Sequence, residues 1–97
     1  DLATRLPWHP DVQAALAELA LRDHDGDTAL AHLERAVALA PNTPRLHRRL
    51  ADVLDAVARS GGPAGEALRT RALRERAEAE RLDAILHPSQ RPLEQRR

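Results

Sequence analysis

The chain has 97 residues, with 15 basic and 15 acidic side chains, so it carries no net charge that would attract nucleic acid or anionic membranes. It contains no cysteine, which excludes disulfides, thiolate nucleophiles and sulfur-ligated metals. Aromatic residues make up 1 % of the chain and Ile85 is its only isoleucine, so strand-forming residues are scarce and helices are favoured. No apolar run approaches the roughly 20 residues that span a bilayer. We therefore expect a soluble all-α domain with no membrane or nucleic-acid partner.

The composition also indicates a source. All 15 basic residues are arginine and alanine is abundant, which indicates a GC-rich bacterial genome. We expect the bacterial cytoplasm and leave the periplasm open. Because the chain begins at Asp1 without methionine, we expect an excised or processed chain.

A period of 34 residues organises the first half of the chain. The frame P-x-x-P occurs at 7–10 and again at 41–44. Apolar residues follow both frames in step, pairing Val12 with Leu46, Leu16 with Leu50, Ala17 with Ala51, Leu19 with Val53 and Ala20 with Leu54. Within each set the spacing i, i+4, i+7, i+8 is that of one helix face. The pattern predicts two related helices, one after each frame.

A turn and a further helix are predicted between the frames. Residues 23–27 supply turn chemistry, and Asp25 or Asp27 can cap the next helix. A second apolar stripe then runs to Pro41 through Ala29, Leu30, Leu33, Ala36, Val37 and Ala40. The sequence therefore predicts helical hairpins at about 10–40 and 44–86.

The 34-residue register is predicted to be lost after residues 60–63. A longer helix is expected from about 64 to 86, with arginine and glutamate paired at i, i+4 along a solvated face, as Arg71 with Glu75 and Arg74 with Glu78. Residues 87–97, which include two prolines and little apolar content, are expected to form a disordered tail.

These residues resemble the tetratricopeptide repeat, a helix-turn-helix unit of 34 residues. The family positions for leucine-glycine, A-x₃-F, a small residue and proline are occupied by Leu16, Ala17, Ala29, Leu33, Ala36 and Pro41. Gln13 stands at the tryptophan position and Ala20 at the tyrosine position. The resemblance implies antiparallel helical hairpins stacked as a short right-handed solenoid with a long C-terminal capping helix. Residues 1–9 would end a preceding repeat, 10–43 form one repeat, and 44–86 form a second, degenerate repeat.

The resemblance also implies a protein-protein interaction module that holds a peptide or a neighbouring domain in a concave groove lined by the first helix of each repeat. The expected contact residues are Asp11, Ala14, Glu18, Leu21, Arg45, Arg48, Arg49 and Asp52. The three arginines are like charges near a helix N-terminus, where cations are disfavoured. We expect them to accept an acidic segment or a C-terminal carboxylate of the partner. Two alternatives remain open: self-association, and a non-catalytic repeat domain of a larger bacterial enzyme.

No motif for catalysis is found. Asp23, Asp25, Asp27 and Glu34 occupy acidic positions of a calcium-binding loop. That loop requires glycine at its sixth position, which is Thr28 here, whereas Gly26 stands at the fourth position. The five histidines have no metal-ligand spacing and are expected on the surface. There is no Gly-rich phosphate loop. We therefore expect no enzyme activity, no metal and no cofactor.

Overall fold

Four α-helices account for most of the 9–60 and 64–87 ranges, which are the residues that the computed structural model describes. The helices are α1 (Pro10–Arg22), α2 (Gly26–Leu39), α3 (Pro44–Arg59) and α4 (Gly65–Leu86). No strand occurs in the described residues, and the predicted all-α class is confirmed. The expectations for 1–8 and 88–97 lie outside those residues.

Local sequence sets where the first helices begin. Pro10 is the first residue of α1, and the ring Nδ1 of His9 accepts a hydrogen bond from the Asp11 N–H at 3.2 Å. At the start of α2, the Asp25 carboxylate accepts the hydroxyl of Thr28 at 2.6 Å and its N–H at 3.2 Å. These two bonds lower the pKa of Asp25. The turn predicted at 23–27 therefore ends in the side-chain cap that aspartate commonly provides.

Each helix packs against its neighbours along the chain, α1 with α2, α2 with α3, and α3 with α4. Small residues are prominent in the buried core, where Ala17, Ala29 and Ala51 have no exposed surface. A methyl side chain lets two helix backbones approach closely. Leu50 and Leu54 fill the space that the alanines leave, and both are at most 1 % exposed. The result is a stack of two hairpins, as predicted.

The pattern of buried alanines in the first hairpin recurs in the second with nine extra residues. Ala29 and Ala36 of α2 are fully buried, and so are Ala72 and Ala79 of α4, which stand 43 positions later (72 against 29, 79 against 36) instead of 34. The helices take up most of the insertion, because α3 ends three residues later than α1 does in the repeat and α4 begins four residues earlier than α2 does.

Two core positions of α2 correspond to charged residues of α4. Leu33 and Val37 of α2 contribute to the core, whereas the positions 43 residues later are Arg76 and Glu80. The guanidinium of Arg76 bonds to carboxylates of α3, and Glu80 is exposed. At these two positions α4 therefore forms ion pairs or meets solvent where α2 makes apolar contacts.

Ion pairs cross between helices more than they run along α4. Arg71, expected to pair with Glu75, instead donates to Glu34 of α2 at 2.6 Å. Glu78, expected to pair with Arg74, instead accepts from Arg81 at 2.9 Å. The predicted i, i+4 pairs are therefore wrong, because the long side chains of α4 also reach a carboxylate of the other hairpin or one at i, i+3 on the same helix.

A buried polar contact ties each hairpin at the position where the family has tryptophan. In the first hairpin Gln13 is 1 % exposed, and its Oε1 lies 2.8 Å from Nδ1 of His32. In the second, His47 is 7 % exposed, and its Nδ1 lies 2.6 Å from Oε1 of Glu75. Its Nε2 lies 2.7 Å from the carbonyl oxygen of Pro41. The expectation that the histidines lie on the surface is therefore wrong for His47.

The surroundings of His47 favour its protonated form. Burial lowers the pKa of this histidine, but the bonds to the Glu75 carboxylate and the Pro41 carbonyl, with the negative charges of Glu75 and Glu78, outweigh burial and raise it above its ordinary value. Both ring nitrogens face acceptors, and an imidazolium can donate to both. The contact therefore has the character of an ion pair, with the two side chains 8 % and 19 % exposed.

Candidate functional site

A groove lies between α1 and α3, with α2 beneath it. Its cavity of about 120 Å³ is lined by Ala14, Ala17, Glu18, Leu21, Leu33, Arg49, Asp52 and Val53. We call this cavity the α1/α3 groove. Its apolar residues form the floor, and the charged side chains of Glu18, Arg49 and Asp52 stand at its edge. Five of the eight contact residues expected from the sequence line it.

Two ion pairs join α1 to α3 beside the groove. The guanidinium of Arg49 contacts the carboxylate of Glu18, and that of Arg45 contacts Asp11. The side chains of both pairs are about half exposed or more, so solvent screens the pairs and each contributes little to stability. Their effect at the site is geometric, because they connect the two helices on which the groove is built.

The remaining arginine of the expected anion-binding patch turns away from the groove. Arg48 contacts Asp83 of α4, while Asp52 accepts from Arg76 at 3.0 Å. Each of the three arginines, Arg45, Arg48 and Arg49, therefore contacts a carboxylate within the chain. A ligand carboxylate would have to replace one of these partners or share the guanidinium with it.

The apolar residues that α1 contributes to the groove have no apolar counterparts at the corresponding positions of α3. Ala14 and Leu21 line the groove on α1, and the residues 34 positions later are Arg48 and Asp55. Both pair with side chains of α4: Arg48 with Asp83, and Asp55 with Arg76 at 2.8 Å. Within the described helices, α1 therefore contributes apolar residues to a groove, whereas the corresponding residues of α3 form ion pairs with α4.

A second, more polar cavity of about 430 Å³ lies where the α1–α2 turn approaches the end of α3. It is lined by Leu21, His24, Asp25, Gly26, Asp27, Ala56, Val57 and Ser60. His24 has a positive φ of 58°, as expected within a tight turn. Among the described residues, no group of three or more His, Asp or Glu side chains is arranged to hold a metal ion. The carboxylate of Asp25 is engaged in capping α2.

The helices give no membrane-spanning segment. In the described ranges, none combines the length and the apolar character that crossing a bilayer requires.

Comparison with known proteins places the groove inside a recognised sequence family. A family model described as tetratricopeptide repeat matches residues 10–53, which include α1, α2 and α3 as far as Val53. All eight contact residues expected from the sequence lie within the match. No curated protein and no solved structure matches the chain.

Proposed function

We propose that this chain, which a tetratricopeptide repeat model matches over residues 10–53, binds an extended peptide, or a segment of a neighbouring domain, in the α1/α3 groove. Repeats of this family generally mediate protein-protein interaction through surfaces of stacked helices. The observation that carries the proposal is the groove itself, an apolar depression edged by charged side chains on a helical scaffold.

The groove suits one aliphatic side chain of the ligand. A volume of about 120 Å³ between Ala14, Leu21 and Val53 is smaller than an apolar cavity of roughly 150 Å³ that accommodates benzene. The adjacent Glu18, Arg49 and Asp52 offer acceptors and donors to the ligand backbone. We infer a ligand segment with a small or branched apolar residue flanked by polar groups.

The finer proposal is that the ligand is acidic or presents a C-terminal carboxylate. It rests on the planar donors of Arg45 and Arg49, which can each bind a carboxylate with two parallel bonds. Because Asp11 and Glu18 already contact these arginines, a ligand carboxylate gains less than it would from a free guanidinium. We therefore rank apolar insertion as the main source of affinity and carboxylate binding as a modifier.

A peptide-display selection against the 97-residue chain tests the proposal without a known partner. Ala14→Trp, which fills the groove, should weaken binding of the selected peptides at least tenfold, equivalent to about 1.4 kcal/mol. Ala67→Trp, at an exposed position of α4, is the matched control and should bind as the unmodified chain does. Equal binding by both variants, with helicity intact, would exclude the groove.

A charge exchange tests the acidic ligand separately. Glu18→Arg combined with Arg49→Glu keeps an ion pair between α1 and α3 but moves the cation from one helix to the other. If a ligand carboxylate binds Arg49, the exchange should weaken acidic peptides and lower the salt dependence of their binding. If acidic and neutral peptides respond alike, the ligand is not recognised by its charge.

Self-association is the alternative that the exposed apolar side chains of α4 favour. Leu73 is 67 % exposed and Ile85 is 61 % exposed. Sedimentation equilibrium of the unmodified chain and of Leu73→Glu would detect a dimer that depends on this helix. The other alternative, a non-catalytic repeat domain of a larger bacterial enzyme, is compatible with the same groove, whose ligand would then be a segment of the parent protein.

A further inference from the structure

Asp52 differs from the other charged residues at the edge of the α1/α3 groove, because its partner is not on the opposite side of the groove. Glu18 and Arg49 contact each other, so that pair is neutral. Asp52 instead accepts a hydrogen bond from Arg76, on the helix α4, which does not line the groove. The charge that a ligand meets at Asp52 therefore depends on a residue of α4.

Arg76 is shared between two carboxylates. Its Nη2 lies 2.8 Å from Oδ2 of Asp55 and 3.0 Å from Oδ1 of Asp52. Within residues 9–60 and 64–87, no other cation contacts either aspartate. Two carboxylates and one guanidinium leave this group of three residues, which we call the Asp52 cluster, with one formal negative charge.

The excess negative charge of the Asp52 cluster is accessible at Asp52. The side chain of Asp52 is 74 % exposed, whereas that of Asp55 is 27 % exposed and lies closer to the guanidinium. An ionised carboxylate can accept about four hydrogen bonds. Asp52 therefore keeps acceptor sites toward solvent while it contacts Arg76, and a donor group of a ligand can bind it without displacing Arg76.

The ion pairs beside the groove do not offset this charge. Arg45 pairs with Asp11 and Arg49 pairs with Glu18, so each of these contacts is neutral. The groove and the ion pairs at its edge together carry one formal negative charge, which belongs to the Asp52 cluster. A ligand with a positive charge at this position complements the groove better than a neutral or acidic one.

We propose that the ligand of the α1/α3 groove carries a basic side chain that binds Asp52, next to the apolar side chain that enters the groove. This inference rests on the proposed function, since it assigns a further residue of the same ligand. A guanidinium can bind a carboxylate through two parallel hydrogen bonds. An exposed ion pair contributes little, but the bound ligand removes part of the solvent around Asp52, which strengthens the pair.

A basic residue at Asp52 does not compete with a ligand carboxylate at Arg45. The two residues are seven positions apart on α3, which corresponds to roughly 10 Å along the helix axis. An extended peptide spans this distance in about three residues. The two charges would therefore belong to different residues of one ligand.

Short synthetic peptides with blocked ends test the inference. They consist of glycine and serine around a central leucine, with arginine at one flanking position that varies from peptide to peptide. In the matched peptides citrulline replaces arginine, which exchanges the guanidinium for a neutral urea group of similar shape. Fluorescence anisotropy with the 97-residue chain should show that the best arginine peptide binds at least about threefold more tightly than its citrulline counterpart. This preference should decrease as salt rises.

Three variants assign the preference to Asp52. Asp52→Asn should abolish it and leave the affinity for the citrulline peptide within about twofold. Asp83→Asn is the matched control, because it also removes a carboxylate that contacts an arginine, here Arg48, which turns away from the groove. It should keep the preference. Arg76→Gln removes the only cation of the Asp52 cluster and should increase the preference for arginine.

The results separate this inference from the proposed function. If Ala14→Trp weakens peptide binding but arginine and citrulline peptides bind alike, this inference fails and the groove remains the binding site. A preference that persists in Asp52→Asn, or that is lost in Asp83→Asn, would also overturn it. If no peptide binds, or if Ala14→Trp has no effect on binding, the groove is excluded and both proposals fail.

Discussion

The contact between the α1–α2 turn and α3 can be tested at Gly26, the first residue of α2. A Cβ placed on Gly26 would lie 2.8 Å from Cγ2 of Val57, whereas carbon atoms at their best separation are about 3.5–4.0 Å apart. Valine is stiff about χ1, so its methyl group cannot easily rotate away. The substitution Gly26→Ala therefore forces either an unfavourable rotamer or a displacement of α2 from α3.

The expected magnitude follows from two opposing effects. Overpacking of this kind costs about 1–3 kcal/mol, and the better helix propensity of alanine offsets at most about 1 kcal/mol. We expect Gly26→Ala to lower the free energy of unfolding by about 0.5–2 kcal/mol. Gly65 is the first residue of α4, and a Cβ there would lie 3.4 Å from the carbonyl oxygen of Ala58. Gly65→Ala is the matched control and should be neutral or slightly stabilising.

Urea unfolding followed by circular dichroism measures both variants. Val57→Ala removes the methyl group that would collide with Gly26→Ala, so the double variant should be more stable than the sum of the single effects by at least about 0.5 kcal/mol. If Gly26→Ala is as stable as Gly65→Ala, or if the effects of Gly26→Ala and Val57→Ala add without coupling, the close approach of the turn to α3 is refuted.

Three further predictions concern the alanine crossings, the buried histidine and calcium. Ala17→Leu should lower the free energy of unfolding by about 1–3 kcal/mol because the site is fully buried, whereas Ala38→Leu, at an exposed position, should be tolerated. Equal melting temperatures of the two variants would contradict the repeat register. Since the folded-state pKa of His47 is raised, its stabilising effect is full below the unfolded value of 6.5 and is lost as pH rises through the folded value. Denaturant titrations across this range should show that loss, and Glu75→Gln should flatten it; an unchanged slope would argue against the pair. Millimolar calcium should leave the melting temperature unchanged, and a rise abolished by Asp23→Ala would contradict this.

The helices could be predicted from the sequence because several local features agree. The frames at 7–10 and 41–44, the turn at 23–27 and the apolar stripes all define the same hairpin. The resumption of register in α4 was missed, although the pattern Ala29-Leu30 with Ala36 does recur as Ala72-Leu73 with Ala79. A search at the fixed period of 34 cannot detect an insertion that lengthens both helices and the turn between them.

The polar contacts were harder to predict. The shared position of Gln13 and His47 follows from the period, but their partners His32 and Glu75 lie on helices whose offset is different. At the surface, an arginine side chain can reach carboxylates on its own helix or on the next, with small differences in free energy. The contact between Arg48 and Asp83 of α4 was not predicted for this reason.

The neighbour-to-neighbour packing of the helices also bears on how the chain folds. Every extensive helix contact in the described residues joins consecutive helices, so no long loop must close before packing begins. Proteins dominated by such short-range contacts have low contact order and fold in microseconds to milliseconds. Opening can also proceed one helix at a time from an end. We expect amide hydrogen exchange to be slowest in α2 and α3, which are flanked on both sides, and faster in α1 and α4.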